Sequence, residues 1–390
     1  MPYAQRAMYD ADSHIMELPD FLKKYADPAI REDVPEVSYS ASIVTDEEVA
    51  VIMGQGGRHS DAHIAEQIAL GDRLIEKSKE IQALGAFDGR DRRTAMDLLG
   101  FKKQLVFATH SVAKPFSPSS KLDPVLRYGC ARAHNRHMSA FCAEDPRLMG
   151  VAIIPLDSAE HALAELDWVL KSNLKAVWVP HRSPVDMSPA HVSLEPFWAK
   201  LAEAGMPFLL HVGGAPLQLS KAWTNNGKAA TKDWLGGGEN LRTKDVAVLH
   251  QGPETFITIL CVEGVFERHP KLRGASVELG AGWVPELLRR LDWVAKHWGR
   301  TDQNLAAFKR PPSQQIREQM AFTPFVFEEV GNFIDQSNED LYLFSSDYPH
   351  IEGGRDPVKR FEASLGERAP LVREKFYAEN FLRIFPGARA

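Results

Sequence analysis

Eight short apolar, β-rich segments alternate with amphipathic stretches of helix length along this chain, and that alternation restricts the fold more than any other feature. The segments are Ala7–His14, Gln104–Thr109, Met149–Pro155, Lys175–Pro180, Pro207–Val212, Arg273–Leu279, Met320–Val326 and Leu341–Asp347. Stretches between them, such as Asp123–Cys142 and Ala159–Ser172, are long enough to return the chain to the start of a neighbouring parallel strand. The economical solution is an α/β fold, a (β/α)8 TIM-like barrel. Two regions exceed a minimal barrel: roughly Ile30 to Arg93, after strand 1, and Gly213 to Thr243, after strand 5. Loops at the carboxyl ends of barrel strands form the active-site mouth, so these inserted loops are expected to be lids on one barrel domain spanning 1–390.

Composition narrows the class of function. A chain of 390 residues that is 44% hydrophobic can bury a large core, and its net charge of −6 is spread without a long acidic or basic block. Nothing in that distribution favours nucleic acid or an anionic membrane, which leaves a small-molecule substrate as the expected partner. No apolar run approaches the ~20 residues of a membrane helix, and Met1-Pro-Tyr-Ala-Gln-Arg leads into the first strand without a signal-peptide core, so a cytoplasmic location is expected. Cys130, Cys142 and Cys261 are odd in number and lie in apolar, helix-like contexts, which reads as buried thiols.

Four strings at the ends of these segments carry ligand-type residues: Asp10-Ala-Asp12-Ser-His14, Leu210-His211-Val212-Gly213, Val277-Glu278-Leu279-Gly280 and Ser345-Ser346-Asp347-Tyr348-Pro349-His350. Strand side chains alternate faces, so Asp12 and His14 are expected to point the same way, as is Asp10. His211 and Asp347 each close another strand and would meet them at the barrel rim. Two imidazoles and two carboxylates suit zinc, manganese or iron, with a position left open for water or substrate. One such residue at a strand end is ordinarily structural, and Asp347 alone reads as a turn cap before Pro349; the conjunction carries the signal.

On these strings the sequence resembles the amidohydrolase-related branch of the metal-dependent amidohydrolase superfamily, which includes aminocarboxymuconate semialdehyde decarboxylase and the resorcylate-type decarboxylases. The resemblance covers nearly the whole chain. It also rests on Arg93-Thr-Ala-Met-Asp97-Leu-Leu-Gly100, Asn135-Arg136, Gly264-Val-Phe-Glu-Arg-His-Pro270, Gly282-Trp283-Val-Pro285 with Arg290-Leu-Asp292, and Glu379-Asn380-Phe-Leu-Arg-Ile-Phe. It implies a first-strand metal pair at Asp12 and His14, a fifth-strand ligand at His211 and an eighth-strand aspartate at Asp347. It also implies a homodimer, since relatives often pair. Two positions depart from the family pattern. The first strand carries Asp-x-His where many relatives have His-x-His or Glu-x-His, and Glu278 stands where the decarboxylases have a catalytic His.

A carboxylate beside a metal is ionised more readily than it donates a proton, so Glu278 reads as a ligand or as a base on bound water, with an internal salt bridge as the plain alternative. The expected function is therefore metal-dependent hydrolysis of an ester, thioester, lactone or amide of a small apolar or aromatic acid. Asp347 or Glu278 would act as base, and zinc would be the first choice of ion. The alternatives are a metal-dependent non-oxidative decarboxylase of an aromatic or unsaturated acid, and a metal-bound scaffold without turnover. His181 and His250 are candidates for a second ion, against a plain reading as surface or supporting histidines. Arg58, His59, Arg182 and Trp283 are candidate substrate contacts, as is His63. His350 is placed to orient Asp347. Trp178, Trp223 and Trp234 are candidates, with Trp283, to wall an apolar pocket, although such aromatics are more often core.

Overall fold

The computed structural model describes residues 6–39, 42–117, 124–216, 219–229 and 243–389. Its strands are β1 (Tyr9–Asp10), β2 (His14–Ile15), β3 (Lys103–Ala108), β4 (Leu148–Ile153), β5 (Ala176–Trp178), β6 (Phe208–His211), β7 (Gly274–Val277) and β8 (Met320–Phe322). All pair in parallel in the order β1-β3-β4-β5-β6-β7-β8, with β2 also on β3. Helices such as Pro124–Cys142, Ala159–Val169, Glu195–Ala204 and Val284–Trp298 separate the strands. This is the expected TIM-like (β/α)8 barrel.

Its first and last staves differ from expectation. The first is no continuous strand over Ala7–His14 but two short pieces, β1 and β2, separated at Ala11–Ser13. The last, Leu341–Asp347, forms no ladder of its own and joins its neighbours through single bridges, Phe322 to Tyr342 and Ser13 to Tyr348. Backbone bonds from Ala11 N to Phe344 O (3.0 Å), Asp347 N to Asp12 O (2.9 Å) and His14 N to Tyr348 O (2.8 Å) close the barrel. The physical reason for the irregularity is local: Asp347 has φ 54°, a left-handed value that a strand does not tolerate.

Period-two alternation sorts the strand residues between two cores. Leu105 and Phe107, Val151 and Ile153, Ala176 and Trp178, and Ala275 and Val277 fill the barrel interior with Leu209 and Ala321. Val106, Ala152, Val177, Phe208, Leu210 and Phe322 face outward against the helices. Phe208 is fully buried there, edge-on to Trp198 at 5.4 Å between ring centroids and stacked on Phe266 at 6.4 Å. Phe208→Ala is expected to cost about 3–5 kcal/mol of unfolding free energy, read by denaturant titration.

The first insertion folds into helices Asp46–Gly54 and Asp61–Ala69 and leads into Gly89–Leu99, capped by Asp88 and ended by Gly100 at φ 77°. It packs against the segment that follows Asp347: Glu80 N–H donates to Pro349 O (2.9 Å), and Lys79 Nζ donates to the carbonyls of His350 (3.1 Å) and Gly354 (2.9 Å). Much of the second insertion, including Trp234, lies outside the described residues. No described helix is long and apolar enough to cross a membrane. The three cysteines are free and buried.

Candidate active site

Four side chains from three staves meet at the carboxyl end of the barrel. His211 is the last residue of β6 and His14 the first of β2, while Asp12 precedes β2 and Glu278 follows β7. Their ligand atoms all lie within 4.8 Å of one another. Asp12 Oδ1 is 3.2 Å from both His14 Nε2 and His211 Nε2, and Glu278 Oε2 is 3.4 Å from His211 Nε2. On the other side Asp347 Oδ1 is 3.5 Å from His14 Nε2 and 3.1 Å from His350 Nδ1, so His14, Asp347 and His350 form a second close group.

Both central imidazoles are turned by backbone. His14 Nδ1 bonds the carbonyl of Ala108 (3.0 Å) and His211 Nδ1 that of Val212 (2.9 Å). A carbonyl only accepts, so each Nδ1 carries the proton and each Nε2 lone pair faces the cluster. His350 is held from behind by Thr109 Oγ1, 3.0 Å from its Nε2, and stacks on His14 at 4.0 Å. Phe107 and Trp178 press on His211, with ring centroids at 4.3 and 4.9 Å, and Phe116 backs Trp178. The opening beside the cluster is lined by Asp12, Glu278, Thr323, Phe325, Asp347 and Glu352.

The electrostatics follow from burial. Burial pushes the Asp12 carboxyl up, but His211 and His14 on either side hold it well below the usual carboxylate range. Burial, and then the Asp12 charge, push Asp347 up to about 7. Burial also lowers His14, helped by His350, and takes His350 down to about 3. His14 Nε2 and both Asp347 oxygens are buried without a hydrogen-bond partner among the described residues. Two imidazole nitrogens aimed inward beside ionisable carboxylates, with polar atoms left unsatisfied, form a donor set that fits a divalent ion.

The backbone is strained where the chemistry sits. Among the described non-glycine residues, positive φ occurs at Glu278 (53°), Asp347 (54°), Glu80 (53°) and Asp186 (55°). Two of these are site carboxylates, and Glu80 accepts from Ile351 N–H (3.0 Å) in the turn beyond Asp347. Each such conformation costs of order 1–3 kcal/mol and persists only where surrounding contacts impose it.

Other candidate residues lie elsewhere. His181 is buried at the exit of β5, and burial with nearby His211 takes it down to about 3, yet it belongs to neither close group. His250 sits on a helical surface groove, 3.8 Å from Glu254. Arg58 pairs with Asp88 and Asp91, while His59 and His63 bond the carbonyls of Ile81 and Gln82 within the insertion. Arg182 is engaged by Asp157 at 3.0 Å, Trp283 donates to Gly280 O and packs on Phe322, and Trp223 is 81% exposed. Sequence reasoning gave no part to Thr109, Lys79, Glu80 or Thr323, and no short-range signal marks them.

Comparison with known proteins assigns the family. The family model described as Amidohydrolase matches residues 90–387. Gamma-resorcylate decarboxylase of Rhodococcus jostii is 26% identical over 268 residues, 62% of this chain and 73% of that protein. An amidohydrolase from Mycobacterium avium subsp. paratuberculosis superimposes with TM-score 0.70 at 21% identity, over 98% of this chain and 99% of that one. A dihydroxybenzoic acid decarboxylase from Polaromonas, solved with manganese and 2-nitroresorcinol, superimposes with TM-score 0.63 at 18% identity, over 99% and 98%.

These relatives overturn the expectation of hydrolysis, because those with a stated reaction are carboxy-lyases of aromatic acids. The physical source of the error is Glu278. An ionised carboxylate there is a poor proton donor, but it lies 3.4 Å from His211 among the ligand-type atoms, a place compatible with a metal site of either chemistry. With the fold, the clustered donors and a match over most of its length, this chain belongs to the amidohydrolase family.

Proposed function

We propose that the protein is a metal-dependent decarboxylase of a hydroxylated aromatic carboxylic acid. The observation that carries this reading is the similarity to gamma-resorcylate decarboxylase, 26% identical over 268 residues, beside the clustered donors at the carboxyl end of the barrel. Asp12, His14 and His211 would hold a divalent ion, with Glu278 and Asp347 beside them. Manganese, carried by the Polaromonas relative, and zinc both suit the donors. Bound there, the ion would supply positive charge that offsets the charge of a substrate carboxylate.

The chain's own residues do the rest. Phe325, on the rim of the opening beside the cluster, offers an apolar face on which an aromatic ring can lie, while buried Phe107 and Trp178 back His211 from the barrel interior. Asp347, with Oδ1 set 3.1 Å from His350 Nδ1, holds the proton that replaces the carboxylate. The ring carbon to carboxylate bond breaks, its electron pair stays on the ring carbon, that carbon takes the proton, and carbon dioxide leaves. The first insertion, bonded to the turn after Asp347, acts as a lid at the mouth.

Turnover of 2-hydroxybenzoic acids in deuterated water tests the reaction. The phenol product is expected to carry one deuterium at the vacated carbon; recovery of the acid unchanged across the series counts against the proposal. Glu278→Ala is expected to weaken manganese binding roughly 10–100-fold, while the wild type holds one ion per chain by elemental analysis.

A further inference from the structure

Beneath the cluster, a fully buried polar chain joins the two irregular staves. Asp10 Oδ1 accepts from the backbone N–H of Ser346 (2.8 Å) and of Asp12 (3.3 Å). Its Oδ2 accepts from Ser346 Oγ (2.6 Å) and Gln104 Nε2 (2.8 Å). Gln104 Oε1 in turn accepts from Arg92 Nη1 (3.1 Å), Arg92 Nε donates to Gly85 O (2.9 Å), and Arg92 Nη2 donates to the carbonyl of His14. Asp10, Gln104 and Arg92 are each 0% exposed. One network therefore grips the backbone at Asp12, at His14 and at the residue before Asp347.

We propose that Asp10 is a positioning residue for the ion site, and that the Asp10–Gln104–Arg92 chain sets the spacing of Asp12, His14 and Asp347. The inference rests on reading that cluster as a metal site. Its physical basis is the missing strand pairing: where the barrel closes by single bridges, the carboxylate of Asp10 supplies acceptors that a regular ladder would otherwise provide.

The direction of the chain is fixed by donor inventory. Arg92 only donates, so Gln104 must present its oxygen to Arg92 and its amide nitrogen to Asp10, which as a carboxylate only accepts. An amide at position 10 would set nitrogen against nitrogen at Gln104. Flipping Gln104 would then leave Arg92 facing a donor. Asp10→Asn thus breaks the chain without changing its volume, and adding Gln104→Glu restores it, because the new carboxylate accepts from both neighbours.

Manganese affinity by chelator competition, read beside the melting temperature of the metal-free protein, tests the proposal. Asp10→Asn is expected to weaken manganese roughly 10–100-fold, with Gln104→Glu recovering most of the loss. A variant that melts lower but binds manganese as the wild type does would make Asp10 merely structural and overturn the proposal, as would a folded double variant without recovery. Should Asp10→Asn not fold, Ser346→Ala decides, since it removes one arm of the network. It is expected to weaken manganese several-fold, and wild-type affinity would overturn the proposal. A wild type that binds no manganese defeats the metal reading itself, and this shows before any variant is compared.

Discussion

His211→Ala is expected to lose its divalent ion and, with it, turnover. His211 Nε2 lies within 3.4 Å of two carboxylates, Asp12 and Glu278, and its Nδ1 is committed to Val212 O, so its lone pair has no direction but the cluster. Alanine leaves those carboxylates facing each other without the nitrogen between them. Second-sphere changes at metal sites typically cost 10–100-fold in affinity, so loss of a direct donor should exceed about 100-fold, with activity at background. Elemental analysis after desalting and a turnover assay at saturating manganese check both. A variant that keeps one ion per chain would remove His211 from the ligand set. His14→Ala should behave alike, because its Nδ1 is tied to Ala108 O in the same way.

Asp347→Asn should separate chemistry from ion binding. The amide keeps the shape and one oxygen but cannot pass on the proton, and loss of a positioned acid costs typically 10²–10⁴ in rate. At manganese concentrations that saturate the variant, kcat is expected to fall by about that factor while KM for the acid moves far less. A kcat near that of the wild type would assign the proton to another group. The strained φ of 54° at Asp347 argues that asparagine is tolerated there, since Asn shares with Asp an unusual ease in left-handed conformations.

The barrel was legible because its strands are short apolar runs with helical stretches between them, and seven of the eight runs overlap a strand of the parallel sheet. The eighth, Leu341–Asp347, carries the apolar pattern but not the ladder, because its pattern reports burial while its pairing depends on Asp347 and on an equally broken first stave. Asp12, His14, His211 and Glu278 were legible as ligand types at strand ends, where a parallel barrel gathers them.

Residue type without a fixed element carries less information about position. His59 and Arg58 are spent on the insertion's own carbonyls and carboxylates, and His250 faces a surface groove. Lys79 and Glu80 grip a turn some 270 positions away, a contact no local pattern encodes. The reaction is not encoded at a single position: Glu278 taken alone says which kind of atom lines the site and not which bond breaks.

Release of carbon dioxide tests the central claim most directly. Protein stripped with chelator and reconstituted with manganese would be given 2-hydroxybenzoic, 2,6-dihydroxybenzoic and hydroxy-methoxybenzoic acids, with carbon dioxide and phenol measured together. One equivalent of each per acid consumed, from the reconstituted protein and not from the stripped one, is the predicted result. Full ion occupancy with no carbon dioxide from any of these acids would contradict it.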